Sequence, residues 1–386
     1  MGKLTQKADI IVVGVGAFGS AVAWRLAARG MDVIALDQES IPNDKGSSHG
    51  QTRIFRALSQ NHVDLFPLAM LSKQLWRELQ DATKQRLFEA SGALIIGQNE
   101  RGRIADALAI ARRFGINPQL LSSDELRRQY PAFSNVSDDE VALVDPEGGL
   151  LFTEECVRAA VSQARRYGAQ IRENIEVRGH REDGNDVVVQ TSAGDFRAQQ
   201  VVYATGAWTA KLFPELNLDP LRIPQCWFST EGFEHDSPTL SDIPPFQRDL
   251  NSIDSLWGHG GAAPGWFTKI GTHGHPTRNR SVDTDNIDRT VHNDDVEYLS
   301  NLVGNSFDNL SSTPVGSRIC LLTMTDDEQF VVGRMRDSKV LVASGGSGQG
   351  FKHATGVGEV IADLCQGVEP AIEYKFMSPD RILSQR

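Results

Sequence analysis

Residues 9–27 leave the chain few ways to begin. The apolar, β-branched run Asp9-Ile10-Ile11-Val12-Val13 passes into Gly14-Val15-Gly16-Ala17-Phe18-Gly19 and then into an alanine-rich stretch, residues 20–27. A strand, a G-x-G-x-x-G turn and a helix in that order predict the opening of a dinucleotide-binding βαβ unit. Gly14 makes the tight turn, Gly16 lets backbone N–H groups approach a pyrophosphate, and Gly19 lets helix and strand pack closely. The next apolar run, residues 31–36, ends at Asp37, whose carboxylate can accept from ribose hydroxyls. That residue favours FAD or NAD over NADP, and the motif alone does not choose between flavin and nicotinamide.

With 386 residues and 40% hydrophobic content the chain can bury a full core and is expected to form two domains. Its net charge of −11 argues against nucleic acid or an anionic membrane as a general partner, while leaving room for an anionic small substrate held by local cations. The four cysteines, Cys156, Cys226, Cys320 and Cys365, form no C-x-x-C pair and no dense disulfide pattern. With the first apolar run used as a strand, and no stretch long enough to span a bilayer, a cytoplasmic protein is expected. No metal site is expected.

Periodicity predicts helices at 65–79, 104–114, 123–129, 153–167 and 355–362, and strands at 92–97, 169–172, 186–191 and 340–343. Ser123, Asp124 and Glu125 supply cap chemistry and early negative charge. The run 200–208, through Ala204, Gly206 and Trp208, reads as a buried strand ending in a glycine turn; such a strand returns to the nucleotide in flavoproteins and favours FAD. Proline-rich stretches at 214–224 and 238–245 mark the crossing into a second domain.

Four separated segments carry a resemblance that covers nearly the whole chain: the N-terminal glycine motif; residues 46–56, Gly-Ser-Ser-His-Gly-Gln-Thr-Arg-Ile-Phe-Arg; residues 267–273, Phe-Thr-Lys-Ile-Gly-Thr-His; and the C-terminal pair of Cys320 with Gly348-Gln349-Gly350-Phe351-Lys352. The chain resembles the flavin-dependent amine oxidases of the D-amino-acid-oxidase superfamily, and within it the monomeric sarcosine oxidase and N-methyltryptophan oxidase group. The resemblance implies an α/β fold: a Rossmann-like FAD-binding domain (1–85, 146–215 and 316–386) with an inserted α+β substrate domain (86–145 and 216–315) carrying a mostly antiparallel sheet.

Small residues at 46–50 can wrap a flavin ring, and Arg53 and Arg56, three apart, offer forked donors suited to a carboxylate; a solvated basic loop would read the same way. By resemblance, Arg56 and Lys352 hold the substrate carboxylate, Arg53 lies near the flavin, Lys269 activates oxygen and His273 is an active-site histidine. A positive charge at Lys269 would stabilise superoxide as an electron reaches O₂. Cys320 corresponds to the position that forms a thioether to the flavin 8α-methyl, so covalent FAD is expected. The remaining expected FAD contacts are Ala17, Phe18, Ser47, Ser48, His49, Gly50, Thr52, Val177, Gly346, Gly348, Gly350 and Phe351. Gln349 and His259 are expected at the substrate.

The chain departs from the family pattern around the substrate. Leu322 stands where the sarcosine oxidases carry a tyrosine, Gln349 where they carry a histidine, and residues 257–265 lack tyrosines. The catalytic frame is kept and the lining changed. The reading is an FAD-dependent oxidase of a secondary amino acid, releasing an imine that hydrolyses and reducing O₂ to H₂O₂, as a monomer with only a small molecule and O₂ as partners. Candidate substrates are sarcosine-like, N-alkyl, cyclic imino, fructosyl or N-carboxymethyl amino acids; Arg278 and Arg280, with His259 and His275, could serve a second carboxylate. A flavin dehydrogenase serving a quinone or protein acceptor, and a non-catalytic nucleotide-binding subunit, are the alternatives.

Overall fold

The computed structural model describes residues 6–60, 62–231, 237–273, 280–336 and 338–384, excluding the side chains of His273 and Arg280. Three sheets organise these residues. In the first, Gln170–Arg172, Val33–Leu36, Gln6–Val13, Gly194–Tyr203 and Val340–Ser344 lie side by side, all parallel. Val331–Arg334 closes one edge antiparallel, and the hairpin Val177–Asp183/Asp186–Thr191 extends from the first half of Gly194–Tyr203.

Both faces of this sheet are covered, which is why its central strands read as continuous apolar runs rather than alternating ones. Ile10, Val12, Ala35, Val202 and Leu341 face the helices Ala17–Ala28, Leu65–Thr83, Thr153–Arg166 and Ala354–Cys365. Ile11, Val13, Ile34, Val201 and Val342 face a second core with Phe213 and Leu216. Small residues set the helix spacing: a Cβ on Gly358 would lie 2.8 Å from the backbone carbon of Ala21.

The second sheet runs in the order Arg280–Ser281, Asp219–Phe228, Thr268–His273, Ser255–His259, Phe246–Asp249, Ala93–Gln98, Glu140–Asp145, Gln119–Ser122. Its pairs are antiparallel except Phe246–Asp249 with Ala93–Gln98. Gly316–Met324 also belongs here. Although it falls in a segment expected with the nucleotide-binding domain, it pairs along Asp219–Phe228 from Gly316 to Met324. The prolines at 220 and 224, expected to mark an inter-domain crossing, lie inside Asp219–Phe228. Pro220 O accepts from Val282 N, so Pro224, four residues on, faces the same side, where pairing is interrupted between Arg222 and Cys226 and no donor is needed.

A small sheet joins the two: Thr52–Phe55, Gly149–Phe152 and Phe88–Glu89. The helix expected at 123–129 spans Ser123–Gln129, but its cap is one residue earlier. The Ser122 hydroxyl accepts from Glu125 N, and the Glu125 carboxylate accepts from Ser122 N. All four cysteines are buried thiols. Among the described residues no helix is long and apolar enough to cross a membrane, and no three His, Cys, Asp or Glu side chains group as metal ligands would.

Candidate active site

A cavity of about 550 Å³ opens at the C-terminal ends of the parallel strands, beside Val13, Leu36, Ala204 and Ser344, and runs on to the second sheet. In open α/β sheets ligands bind at this edge.

At its first end the lining is backbone and small side chains. Gly14 has φ +85°, and a Cβ there would lie 2.6 Å from Ala204 O. A Cβ on Gly19 would lie 1.8 Å from Gly14 O, so this glycine works behind the wall rather than in it. The helix Ala17–Ala28 aims its N-terminus at the cavity, with Ala17 N donating to Ser48 Oγ at 2.9 Å. Asp37 accepts from Val15 N at 2.7 Å and Glu39 N at 2.9 Å, and burial pushes its pKa upward against those bonds. Two amide donors leave the carboxylate with acceptor capacity facing the cavity.

Gly16, Phe18, Ser47, Val177, Gly206, Trp208, Gly346, Gly348, Gly350 and Phe351 complete this lining. Acidic acceptor, helix N-terminus and side-chain-free turn lie in the order that ribose, pyrophosphate and a flat ring require. This end fits a dinucleotide.

In the middle, Lys269 donates to Gly50 O at 2.6 Å and Thr52 O at 3.1 Å, with Nζ 5.4 Å from the Trp227 ring centre. Burial and the nearby Arg53 hold its pKa well below the usual lysine value. Cys320 lies 3.5 Å from Arg53 Nη2, and both line the cavity. His49 and Gly50, expected to touch the ring, lie behind the lining. Gly50 N and Gln51 N donate to Glu154. His49 is buried, with both ring nitrogens unpartnered among the described residues, and burial pulls its pKa down to about 4.

Arg53 and Arg56 do not converge on one point. An odd offset in extended chain sends the two side chains to opposite faces. Arg53 donates back to Thr52 O and Ser47 O, while Arg56 turns into the substrate end. There Arg56 Nη1 donates to Gln247 Oε1, which also accepts from Ser59 Oγ; Arg56 Nε is buried without a partner among the described residues. Lys352 Nζ donates to Arg56 O and Ser59 O, each at 2.9 Å. Burial pulls Arg56 to about 9 and Lys352 well below its usual value, with Arg103 adding to both effects and the Arg56 charge adding to that on Lys352.

Gln349, Leu322 and Trp257 line the same end. His259, expected to bind substrate, lines the cavity with both nitrogens committed: Nε2 is 2.7 Å from Thr52 Oγ1 and Nδ1 is 2.6 Å from Gly260 O. Burial lowers its pKa to about 3, so the ring is neutral. His273 ends the strand that carries Lys269, paired with Ser255; its side chain, Arg278, His275 and the Arg280 side chain lie outside the described residues.

Sequence reasoning missed Gln225, Gln247, Asp145 and Glu154. Gln225 lines the cavity with its Oε1 buried and without a partner among the described residues. Glu154 carries a signal, an acid in the first turn of Thr153–Arg166, but that pattern reads as a dipole effect. The two glutamines carry none, because nothing in a strand sequence says what lies across from it.

The family described as FAD dependent oxidoreductase matches residues 9–364. The chain is 32% identical over 366 residues to a monomeric sarcosine oxidase of Bacillus sp. (strain B-0618), covering 92% of this chain and 91% of that protein. It is 28% identical over 371 residues to an N-methyl-L-tryptophan oxidase of Yersinia pestis (strain Pestoides F), covering 96% and 98%. Among solved structures it is similar to the open form of NikD, an unusual amino acid oxidase essential for nikkomycin biosynthesis, with a TM-score of 0.83 and 25% identity over 97% of this chain and 98% of that one.

Proposed function

This chain belongs to the FAD dependent oxidoreductase family, and from that premise we propose that it oxidises an N-substituted amino acid at its carbon–nitrogen bond, with O₂ as acceptor. The observation that carries the substrate class is the pair of buried cations, Arg56 and Lys352. They lie on the same cavity as the dinucleotide cradle, and Arg56 Nε has no partner among the described residues. A carboxylate there gains two charge-assisted contacts and relieves the repulsion between the cations.

FAD, when bound, supplies the redox chemistry: it takes a hydride equivalent from the carbon beside nitrogen and passes two electrons to O₂, giving H₂O₂. The chain supplies placement. Gly14, Gly16, Ala17, Phe18, Asp37, Ser48, Val177, Ala204 and Trp208 hold the nucleotide part. Ser47, Thr52, Arg53, Gly346, Gly348, Gly350 and Phe351 bound the ring, with His49 and Gly50 behind. Arg56 and Lys352 fix the carboxylate so that the C–H bond faces the ring, and the neutral amine needs no strong base. Lys269 provides the buried positive charge that favours electron transfer to oxygen, with His273 four residues along its strand. Cys320, on the cavity wall beside Arg53, would be the residue to tether the flavin through a thioether. Gln349, Leu322 and Trp257 set the room for the nitrogen substituent.

We also propose that the enzyme is a cytoplasmic monomer and that FAD-binding segments (1–85, 146–215, 316–386) alternate with substrate-binding ones (86–145, 216–315). In support, every described strand of the first sheet comes from the former, and every strand of the second except Gly316–Met324 from the latter.

The test is anaerobic mixing of the flavin-loaded protein with sarcosine, N-methyltryptophan, proline, pipecolate, a fructosyl amino acid and iminodiacetate, following the flavin absorbance. Bleaching by a member of the set, with H₂O₂ formed when air is admitted, is expected. A flavin that dithionite reduces and every one of these amines leaves oxidised would overturn the proposal.

A further inference from the structure

The turn after Thr52–Phe55 is gripped from both sides. Its amides at Ala57 and Leu58 donate to Asp145 Oδ2 at 2.6 and 3.0 Å, and its carbonyls at Arg56 and Ser59 accept from Lys352 Nζ. Asp145 Oδ1 accepts from Glu147 N at 3.1 Å. The carboxylate is therefore wholly buried and satisfied by amides alone; it makes no ion pair with either cation. We propose that Asp145 is a positioning residue for the carboxylate clamp: it sets the turn that aims Arg56 and Lys352, and its buried carboxylate balances one of their charges without occupying the place where substrate binds.

The charge balance supports this. Two buried cations against one buried carboxylate leave a single net positive charge, the complement of one substrate carboxylate. Because amides fill Asp145, it cannot neutralise Arg56 or Lys352 by direct contact and block their donors. Lys352 has three N–H donors and spends two on carbonyls, leaving one for the ligand. The field of Asp145 favours the charged form of both cations, opposing burial, the repulsion of Arg103 on both and that of Arg56 on Lys352.

The other charges are few. Arg103, on the helix Gly102–Phe114, repels both cations and is itself paired with Asp249 at 2.8 Å; Asp249 also favours the charged Arg56. Glu147 is taken by Lys73 at 2.6 Å, and the adjacent His353 is held neutral by burial. Asp145 is thus the buried anion not already committed to another cation.

The inference rests on the proposed carboxylate site, and one titration separates the two. Acetate binding to the flavin-loaded protein is followed by the change in flavin absorbance from pH 6 to 10, in wild type and Asp145→Asn. In wild type acetate binds at low pH and is lost as Lys352 deprotonates. In Asp145→Asn this loss should begin about one to two pH units lower, giving roughly tenfold or greater weakening where the wild-type profile begins to fall and little change on its acid plateau. A uniform weakening at every pH would overturn the electrostatic role of Asp145 and leave it only the turn, and no weakening at all would overturn both roles. Failure of wild type to bind acetate at any pH would overturn the carboxylate site itself. If Asp145→Asn does not fold, Arg103→Gln supplies the opposite perturbation: removing a repelling cation should move the loss upward, and an unmoved profile would count against electrostatic control of the clamp.

Discussion

At the nucleotide end of the cavity the contacts are backbone and small side chains drawn largely from residues 13–48, and Asp37 is the one acid there held by amides. At the carboxylate end the contacts are larger side chains from 56, 257, 322, 349 and 352, and two of them are buried cations. The first end tolerates no added volume. The second tolerates no lost charge. A backbone cradle is specified by where a Cβ would not fit, whereas a charge clamp is specified by desolvated groups whose neighbours must cancel the cost of burial.

The largest expected effect strikes the cradle. Gly19→Ala places a Cβ 1.8 Å from Gly14 O, so the strand–helix contact must open; the purified variant should carry almost no flavin, read as the ratio of flavin to protein absorbance. On the electron-accepting side, Lys269→Met removes a buried cation, and reoxidation of the reduced enzyme by O₂ should slow by about 100- to 1000-fold. Stopped-flow mixing with oxygen checks this, and flavin content should hold.

Breaking the clamp gives a different signature. Arg56→Met should cost about 3 kcal/mol of substrate binding, roughly a hundredfold in kcat/KM, with the flavin fully retained. Loss of flavin along with activity would erase the distinction between the two ends.

Acid tests the neutral groups beside the clamp. His259 stays uncharged in the fold down to about pH 3, whereas the unfolded chain takes up this proton near pH 6.5. Between those values the unfolded state binds more protons, so the stability is fully present above pH 6.5 and falls by about 2 kcal/mol by pH 5 from this residue. His259→Gln should shrink the difference in unfolding free energy between pH 7 and pH 5 by that amount.

The smallest effect concerns the wall. A Cβ on Gly271 would lie 2.1 Å from Trp257 Cζ2, so Gly271→Ala must shift the indole. It should change the relative KM values of small and bulky N-substituted amino acids several-fold and leave oxygen reactivity unaltered.

Much of the cradle could be read directly, because Gly14, Gly16, Gly19 and Asp37 act within one βαβ unit whose spacing is local. The segments holding Arg53, Arg56, Lys269 and Lys352 were also recognisable, yet their geometry was not. That the strand sends Arg53 and Arg56 to different partners, and that Thr52 and Gly260 occupy both nitrogens of His259, only the fold shows. Gln247 and Asp145 gave no sign at all. Each acts on Arg56 or its turn from at least 87 residues away along the chain.

From its sequence alone this protein had a parallel nucleotide-binding sheet and a family, because strand hydrophobicity, turn glycines and the acid after the second strand are decided by interactions over a few residues. Tertiary structure decided which cations share a cavity, which stay charged and what holds them. Burial and Coulomb coupling depend on the elements that close over a group, and those come from distant parts of the chain.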